Sequence, residues 1–202
     1  AMQAQEYAMA KWAIGLRLPG TVDSDIEKAF NEGLLLRTHL LRPTWHFVHP
    51  SDIRWMLELT SPQVKKLMVS YNRKLELDDA VFAKTNKVIT SALQNHTYLT
   101  RQELKKILEG IGIQTNVQRL AHIIMWAELD QLICSGPRRG KQFTYALLAE
   151  RAPHARQLSR EESFARLAQK YFLGHSPAQV KDFSWWSGLS MKDSQLAIDL
   201  IQ

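Results

Sequence analysis

The sequence predicts a mainly α-helical protein with small β-hairpins, arranged as tandem winged-helix (helix-turn-helix) modules. Two runs of β-forming apolar residues, 34–48 and 132–147, each fold back around a turn, and each follows helical patterns. A third helix-turn-helix pattern starts at Ser159. A supersecondary plan that recurs about every 75 residues is typical of repeated modules.

The first module is expected at residues 1–77, with further residues missing before it. Apolar spacing predicts two helices, a hairpin and a longer helix, in that order. Their expected bounds are helices at 4–18 and 21–33, strands at 34–40 and 44–48, and a helix at 51–74 broken at Pro62.

The second module is expected at residues 78–150, in the order helix, helix, helix, strand, strand that a winged helix requires. Its helices are predicted from Asp78 or Asp79 to about residue 96, at 100–110 and at 115–131. Thr100 and Glu103 form a capping box for the second helix, and Thr115 is expected to cap the third. The strands are predicted at 132–134 and 143–147.

Residues 151–202 are predicted to start a third module. Helices are expected at 160–173, at a short segment ending at Trp186, and from Ser190 onward. Because the sequence stops within a helical pattern, we expect this module to be truncated at its C-terminal side.

The composition favours an anionic partner. The chain has 26 Lys and Arg against 20 Asp and Glu, giving a formal net charge of +6. The single cysteine, Cys134, excludes an internal disulfide and a cysteine-rich zinc site. No apolar stretch is long enough to span a bilayer. We therefore expect a cytoplasmic protein with no membrane contact.

The turn between the last two strands of the second module is strongly basic. Arg138, Arg139 and Lys141 lie at its tip among Gly and Pro residues. Such a wing suits the phosphate backbone of a nucleic acid. The alternative is an ordinary hairpin that is kept solvated by its charges.

The first hairpin supplies two further candidates for DNA contact, Arg42 at its turn and His46 on one strand face. Trp45 could stack on a base, but filling the core is the preferred interpretation. Although His39, His46 and His49 lie nearby, no Cys or carboxylate accompanies them. We therefore predict no zinc site.

The helix at 115–131 carries Asn116 and Arg119 on its polar side, where a simple helix-turn-helix protein reads base edges. Burial of this helix between modules is the other interpretation, and Met125 and Trp126 favour it. Near the end of the chain, Trp185 and Trp186 cannot share a helix face. One of them is expected at a domain interface, and a base-wedging role is the alternative.

Taken together, several segments resemble the AlkZ/YcaQ-like winged-helix family, which includes bacterial DNA glycosylases that act on bulky alkyl adducts and interstrand crosslinks. The resemblance rests on MQAQ at residues 2–5, RTHLLRPTWHFV at 37–48, the wing at 135–142 and GHSPAQVKDFSWWSGL at 174–189. It implies three tandem winged helices followed by a β-rich part that this chain lacks.

The resemblance also implies a catalytic pair, because the family signature is Gln, an apolar residue, then Gln or Asp. Gln3 and Gln5 match the two-glutamine form around Ala4. A glutamine has no useful pKa, but its carbonyl can orient water and stabilise positive charge on a sugar. Glu6 is the one adjacent carboxylate that could help to orient water. The alternative is a short polar segment without function.

The resemblance therefore implies a monofunctional DNA glycosylase of the bacterial cytoplasm, associated with the nucleoid. It would be a DNA-repair hydrolase that excises alkylated bases from double-stranded DNA by hydrolysis of the N-glycosidic bond. We expect a monomer with no metal and no small-molecule cofactor. One rival is a non-catalytic DNA-binding protein or transcription regulator whose specificity lies on residues 116–122. Another is a protein-interaction scaffold.

Overall fold

A computed structural model describes residues 1–202 and is mostly helical, with six short strands. The first part contains β1 (Met2–Gln3), α1 (Tyr7–Gly15), α2 (Asp23–Glu32), β2 (Leu36–Leu40), β3 (Arg42–Val48) and α3 (Ile53–Lys74). Then follow α4 (Asp79–Ala92), β4 (Leu99–Thr100), α5 (Arg101–Gly110), α6 (Val117–Leu129), β5 (Ile133–Ser135), β6 (Thr144–Leu147) and α7 (Leu148–Arg151). The chain ends with α8 (Arg160–His175), α9 (Val180–Ser187) and α10 (Met191–Asp199).

The strands form two antiparallel sheets with the same connectivity. The first sheet has the order β1-β3-β2 and the second β4-β6-β5. In each, a short strand precedes two helices and then pairs with the returning strand of the hairpin. This is winged-helix topology, so the predicted fold class and both predicted hairpins are confirmed.

Apolar side chains from residues 36–68 and 125–198 meet in one large core. It joins Leu36 and Val48 of the first sheet, Trp55 of α3, Leu129 of α6 and Phe183 of α9, all of them buried. A second core fills the region between residues 77 and 147. The division into modules at 77/78 and 150/151 stays a prediction, since the largest core crosses both boundaries.

Local capping signals placed four helix starts correctly. Asp78, Thr100, Ser159 and Ser190 each accept a hydrogen bond from the backbone of the helix that they precede. At α6 the prediction was wrong by one residue. There Asn116 is the cap, and the buried Thr115 hydroxyl instead donates to Glu109 at 2.6 Å.

The break predicted at Pro62 was also wrong, since α3 is continuous through it. The turns around the proline are held by tertiary contacts. Ser61 and Val64 are buried, and the Thr60 hydroxyl donates to the Met56 carbonyl at 2.8 Å while accepting from the Leu41 backbone at 3.4 Å. Packing therefore compensates for the hydrogen bond that proline cannot make.

Candidate functional site

The glutamine segment forms the edge of the first sheet. Gln3 is the cross-strand neighbour of His46. The backbone N–H of Ala4 donates to the Trp45 carbonyl at 2.7 Å, and Arg37 Nε donates to the Ala4 carbonyl at 3.0 Å. The Ala4 side chain is fully buried. The residue between the two glutamines is therefore held on three sides, which fixes the backbone that presents them.

Both glutamine side chains are exposed on this fixed segment. The Oε1 atom of Gln5 accepts a hydrogen bond from the Trp45 backbone at 3.4 Å, which leaves a second lone pair and the amide hydrogens free. Gln3 makes no side-chain hydrogen bond within the protein. Glu6 is the N-cap of α1, but its side chain makes no capping bond. The side chains of Gln3, Gln5 and Glu6 are thus available to a ligand.

His46 lies inside the sheet and not on its surface. It is 1% exposed, and its Nδ1 atom is 2.9 Å from the Thr44 carbonyl, so Nδ1 carries the proton. Burial lowers the pKa of His46 to about 4, which keeps the imidazole neutral near pH 7. This placement does not support the predicted DNA contact at His46. Instead it sets a neutral ring beside Gln3.

Arg42 and Trp185, two candidates from distant segments, are neighbours. The Arg42 guanidinium lies 4.7 Å from the centre of the Trp185 ring, which is 72% exposed. The hairpin turn and α9 approach closely here, because a Cβ on Gly188 would lie 2.5 Å from the Leu41 carbonyl oxygen. Trp186 packs against the large core instead. The two tryptophans therefore have different environments, and the exposed ring extends the surface around Arg42.

Arg138 of the basic wing is used inside the protein. Its guanidinium pairs with Glu27 of α2 at 3.1 Å and lies over the rings of Tyr7 and Phe143 at 4.8 and 4.9 Å. Its backbone N–H donates to Asn31 Oδ1 at 2.8 Å. The structure does not support a flexible, phosphate-binding Arg138, because the wing packs against α1 and α2.

The other two wing cations differ from each other. Arg139 pairs with Glu103 at 2.7 Å and donates to the Tyr98 carbonyl at 2.8 Å, although its side chain stays 55% exposed. Lys141 is exposed and makes no ion pair. Of the three predicted phosphate ligands, Lys141 is the one that is unoccupied.

The candidates on α6 are also occupied. The Asn116 side chain accepts from the Arg119 backbone at 2.9 Å as a helix cap. Arg119 donates to the carbonyls of Gln114 at 2.9 Å and Glu76 at 3.2 Å, and to that of Leu75. Most of the remaining helix is buried. These contacts favour the interpretation of a buried helix and do not support DNA reading by Asn116 and Arg119.

Sequence reasoning missed Arg37. It is 7% exposed, fixes the Ala4 carbonyl, and lies 4.2 Å from the Trp45 ring centre. The available signal was a cation in the middle of the apolar run 34–41. A buried arginine in a strand is rare without a partner.

The structure contains no group of three or more His, Cys, Asp and Glu side chains that could hold a metal ion. Its helices are all too short or too polar to cross a bilayer.

Comparisons with known proteins agree with this fold. The chain is 21% identical over 196 residues to the "Interstrand DNA cross-link repair glycosylase" of Streptomyces sahachiroi, a match that covers 94% of this chain and 53% of that protein. The solved structure of "Streptomyces sahachiroi DNA glycosylase AlkZ" matches with a TM-score of 0.78 at 19% identity, covering 98% of this chain and 56% of that one. The chain thus spans about half the length of these relatives. The profile of the family described as "DNA glycosylase AlkZ-like" matches residues 1–202, and the chain belongs to that family.

Proposed function

We propose that this chain is part of a monofunctional DNA glycosylase that excises alkylated bases from double-stranded DNA by hydrolysing the N-glycosidic bond. One observation carries the proposal. The glutamine pair of the family signature lies on a rigid, extended segment with both side chains exposed. An exposed polar pair on a fixed backbone is what a preorganised site requires.

The reaction would use the glutamines as dipoles and not as bases. As the bond between base and sugar breaks, positive charge develops on the sugar, and the Gln3 and Gln5 carbonyls would stabilise it and align the attacking water. A charged imidazole beside Gln3 would oppose that charge. The low pKa of His46, caused by its burial, keeps it neutral. Glu6 would assist by orienting water.

The DNA-facing surface would combine Arg42 and Trp185 with Lys141. Arg42 lies on the same strand as His46 and four residues away, a distance of roughly 13 Å along an extended chain. The net charge of +6 supports phosphate contact over this surface. We propose a monomer that needs no metal or organic cofactor for this reaction.

The regulator alternative has less support. It needs free side chains at residues 116–122, but Asn116 caps α6, Arg119 binds backbone carbonyls, and His122 Nδ1 lies 2.6 Å from Asn72 Oδ1. Binding independent of DNA sequence fits a repair enzyme that searches for damage.

The test is excision kinetics in the full-length protein. Gln3→Ala and Gln5→Ala should each slow the excision of an alkylated base by about 10²–10³-fold, the usual cost of removing one preorganised polar group. Folding and DNA affinity should change little. Gln5→Asp should retain some activity, and Gln118→Ala, an exposed glutamine on α6, is the matched control. If both alanine variants excise as fast as the parent, the assignment of the site is wrong.

A further inference from the structure

A cavity of about 340 Å³ lies between the first sheet and the residues 100–102 and 141–145. Its walls carry three cations, Arg37, Arg101 and Lys141, and the aromatic rings of Trp45, Phe143 and Tyr145. The remaining lining residues are neutral, so no carboxylate faces the cavity. Three positive charges around an open space without an acid are an unusual arrangement for a protein surface.

Arg37 is the innermost of these cations. Its guanidinium carbon lies 4.2 Å from the centre of the Trp45 ring and 4.5 Å from that of Phe143. Nε is used by the Ala4 carbonyl, but neither terminal nitrogen makes a hydrogen bond or an ion pair within the protein. Glu128 acts on Arg37 electrostatically, yet its carboxylate is paired with His39.

A buried guanidinium that lacks a counter-ion is costly. Desolvation lowers the pKa of Arg37, although an arginine stays charged at neutral pH. A charge that is taken out of water needs a partner of opposite sign to recover its solvation. Since the protein supplies none within ion-pair distance, an anion entering the cavity would be the partner.

Arg101 and Lys141 complete the rim. Arg101 is held by one terminal nitrogen, which donates to the Val117 carbonyl at 2.8 Å. Lys141 makes no ion pair, and its own carbonyl is held by Arg138 at 2.7 Å. Arg101 and the backbone of Lys141 are therefore positioned by contacts within residues 101–141. Arg37, in contrast, lies on β2 of the first sheet.

We propose that this cavity binds a phosphate group of the DNA backbone, with Arg37, Arg101 and Lys141 as its ligands. The choice of DNA as the phosphate source rests on the proposed function. Trp45 and Arg37 line this cavity, and they also make hydrogen bonds to the segment that contains Ala4 and Gln5. The bound phosphate would thus belong to a nucleotide next to the one at the glutamines, and it would fix the sugar relative to them.

The test compares two double variants of equal charge. Arg101→Gln with Lys141→Gln removes the rim, whereas Lys87→Gln with Lys106→Gln removes two exposed, unpaired lysines of the same unit. Affinity for a short undamaged duplex is measured by fluorescence anisotropy over a range of salt. The rim variant should flatten the salt dependence by about one unit for the lost phosphate contact. The control should leave it nearly unchanged. Lys141→Gln against Lys106→Gln repeats the comparison should Arg101→Gln disturb folding.

A second arm identifies the phosphate. Duplexes carrying one uncharged methylphosphonate at successive positions should show one position that weakens binding to the parent clearly more than binding to the rim variant, which keeps only Arg37. Equal losses in rim and control variants, or no such position, would overturn the proposal. Saturable shifts of the Arg37 Nε–H NMR signal by inorganic phosphate, with no sensitive position in DNA, would overturn DNA as the source. If such a position is found in the DNA but the protein excises no base, the phosphate site is supported and the proposed glycosylase function is refuted.

Discussion

The short strand that precedes the helix pair is built differently in the two sheets. In the second sheet, β4 leads directly into α5, where Thr100 and Glu103 cap each other's backbone. Hydrogen bonds from Thr100 and the ion pair with Arg139 lower the pKa of Glu103 to about 2. In the first sheet, β1 leads into α1 through Gln5 and Glu6, and the cap residue makes no side-chain bond.

The equivalent starts of α1 and α5 thus use their polar side chains differently. In the second sheet, the side chains of Thr100 and Glu103 cap the start of α5. Such capping stabilises a helix by about 1 kcal/mol. The first unit forgoes that stabilisation and leaves polar side chains exposed on a fixed backbone. A local rule that is broken at one of two equivalent places points to a functional site there.

The largest expected effect on stability comes from the cross-strand neighbour of β1, which differs from that of β4. Gln3 faces His46, whereas Thr100 faces Thr144. Because burial lowers the pKa of His46 to about 4, the unfolded chain binds a proton at higher pH than the folded chain. Stability should therefore fall by up to about 3 kcal/mol as pH drops from 6.5 to 4, and the loss is complete below pH 4.

Urea denaturation across that pH range checks this. His46→Gln should flatten most of the slope between pH 6.5 and 4.5. A smaller slope should remain from His122, whose pKa burial also lowers. An unchanged slope in His46→Gln would mean that His46 is solvated, and the neutral ring beside Gln3 would have to be abandoned.

The next effect concerns the wing of the second sheet. Arg138→Met removes the ion pair with Glu27 and the contacts with two rings, and it should cost about 1–2 kcal/mol of unfolding free energy. Lys141→Met changes an exposed side chain that makes no ion pair, and it should change stability by less than about 0.5 kcal/mol. Equal effects in chemical denaturation would contradict the docked wing.

The smallest effect compares the two helix starts themselves. Thr100→Ala should destabilise the protein by about 1 kcal/mol, because it removes the hydroxyl that accepts from the Glu103 backbone. Glu6→Ala should stay within about 0.5 kcal/mol, because its side chain makes no capping bond. Denaturation midpoints of the two variants give the answer directly. A larger loss for Glu6→Ala would reverse the comparison.

Signals within a few residues of each other could be read from the sequence. The capping box at Thr100 and Glu103, the caps at Ser159 and Ser190, and both hairpins are of this kind. The strands β1 and β4 were not predicted, because two residues carry no pattern and their structure depends on a distant partner.

The candidate site was predictable only in part. The glutamine pair came from the family resemblance, and its exposed, extended backbone suits the chemistry that was expected. The partners of Arg138 and Arg119 lie 111 and 44 residues away along the chain. Charge and turn composition cannot reveal whether such a cation faces solvent or a neighbouring unit. For the same reason, Arg37 was recognised as part of a site only from its surroundings.

Excision of damaged bases is the activity that we propose for the full-length protein, and the products of its reaction with damaged DNA are the direct test. The full-length protein is incubated with a duplex containing a single alkylated purine. We expect release of the free alkylated base and an intact strand with an abasic site, without added metal or cofactor and in any flanking sequence. Tight binding of the same duplex without base release would refute the proposed glycosylase and would favour a non-catalytic DNA-binding protein.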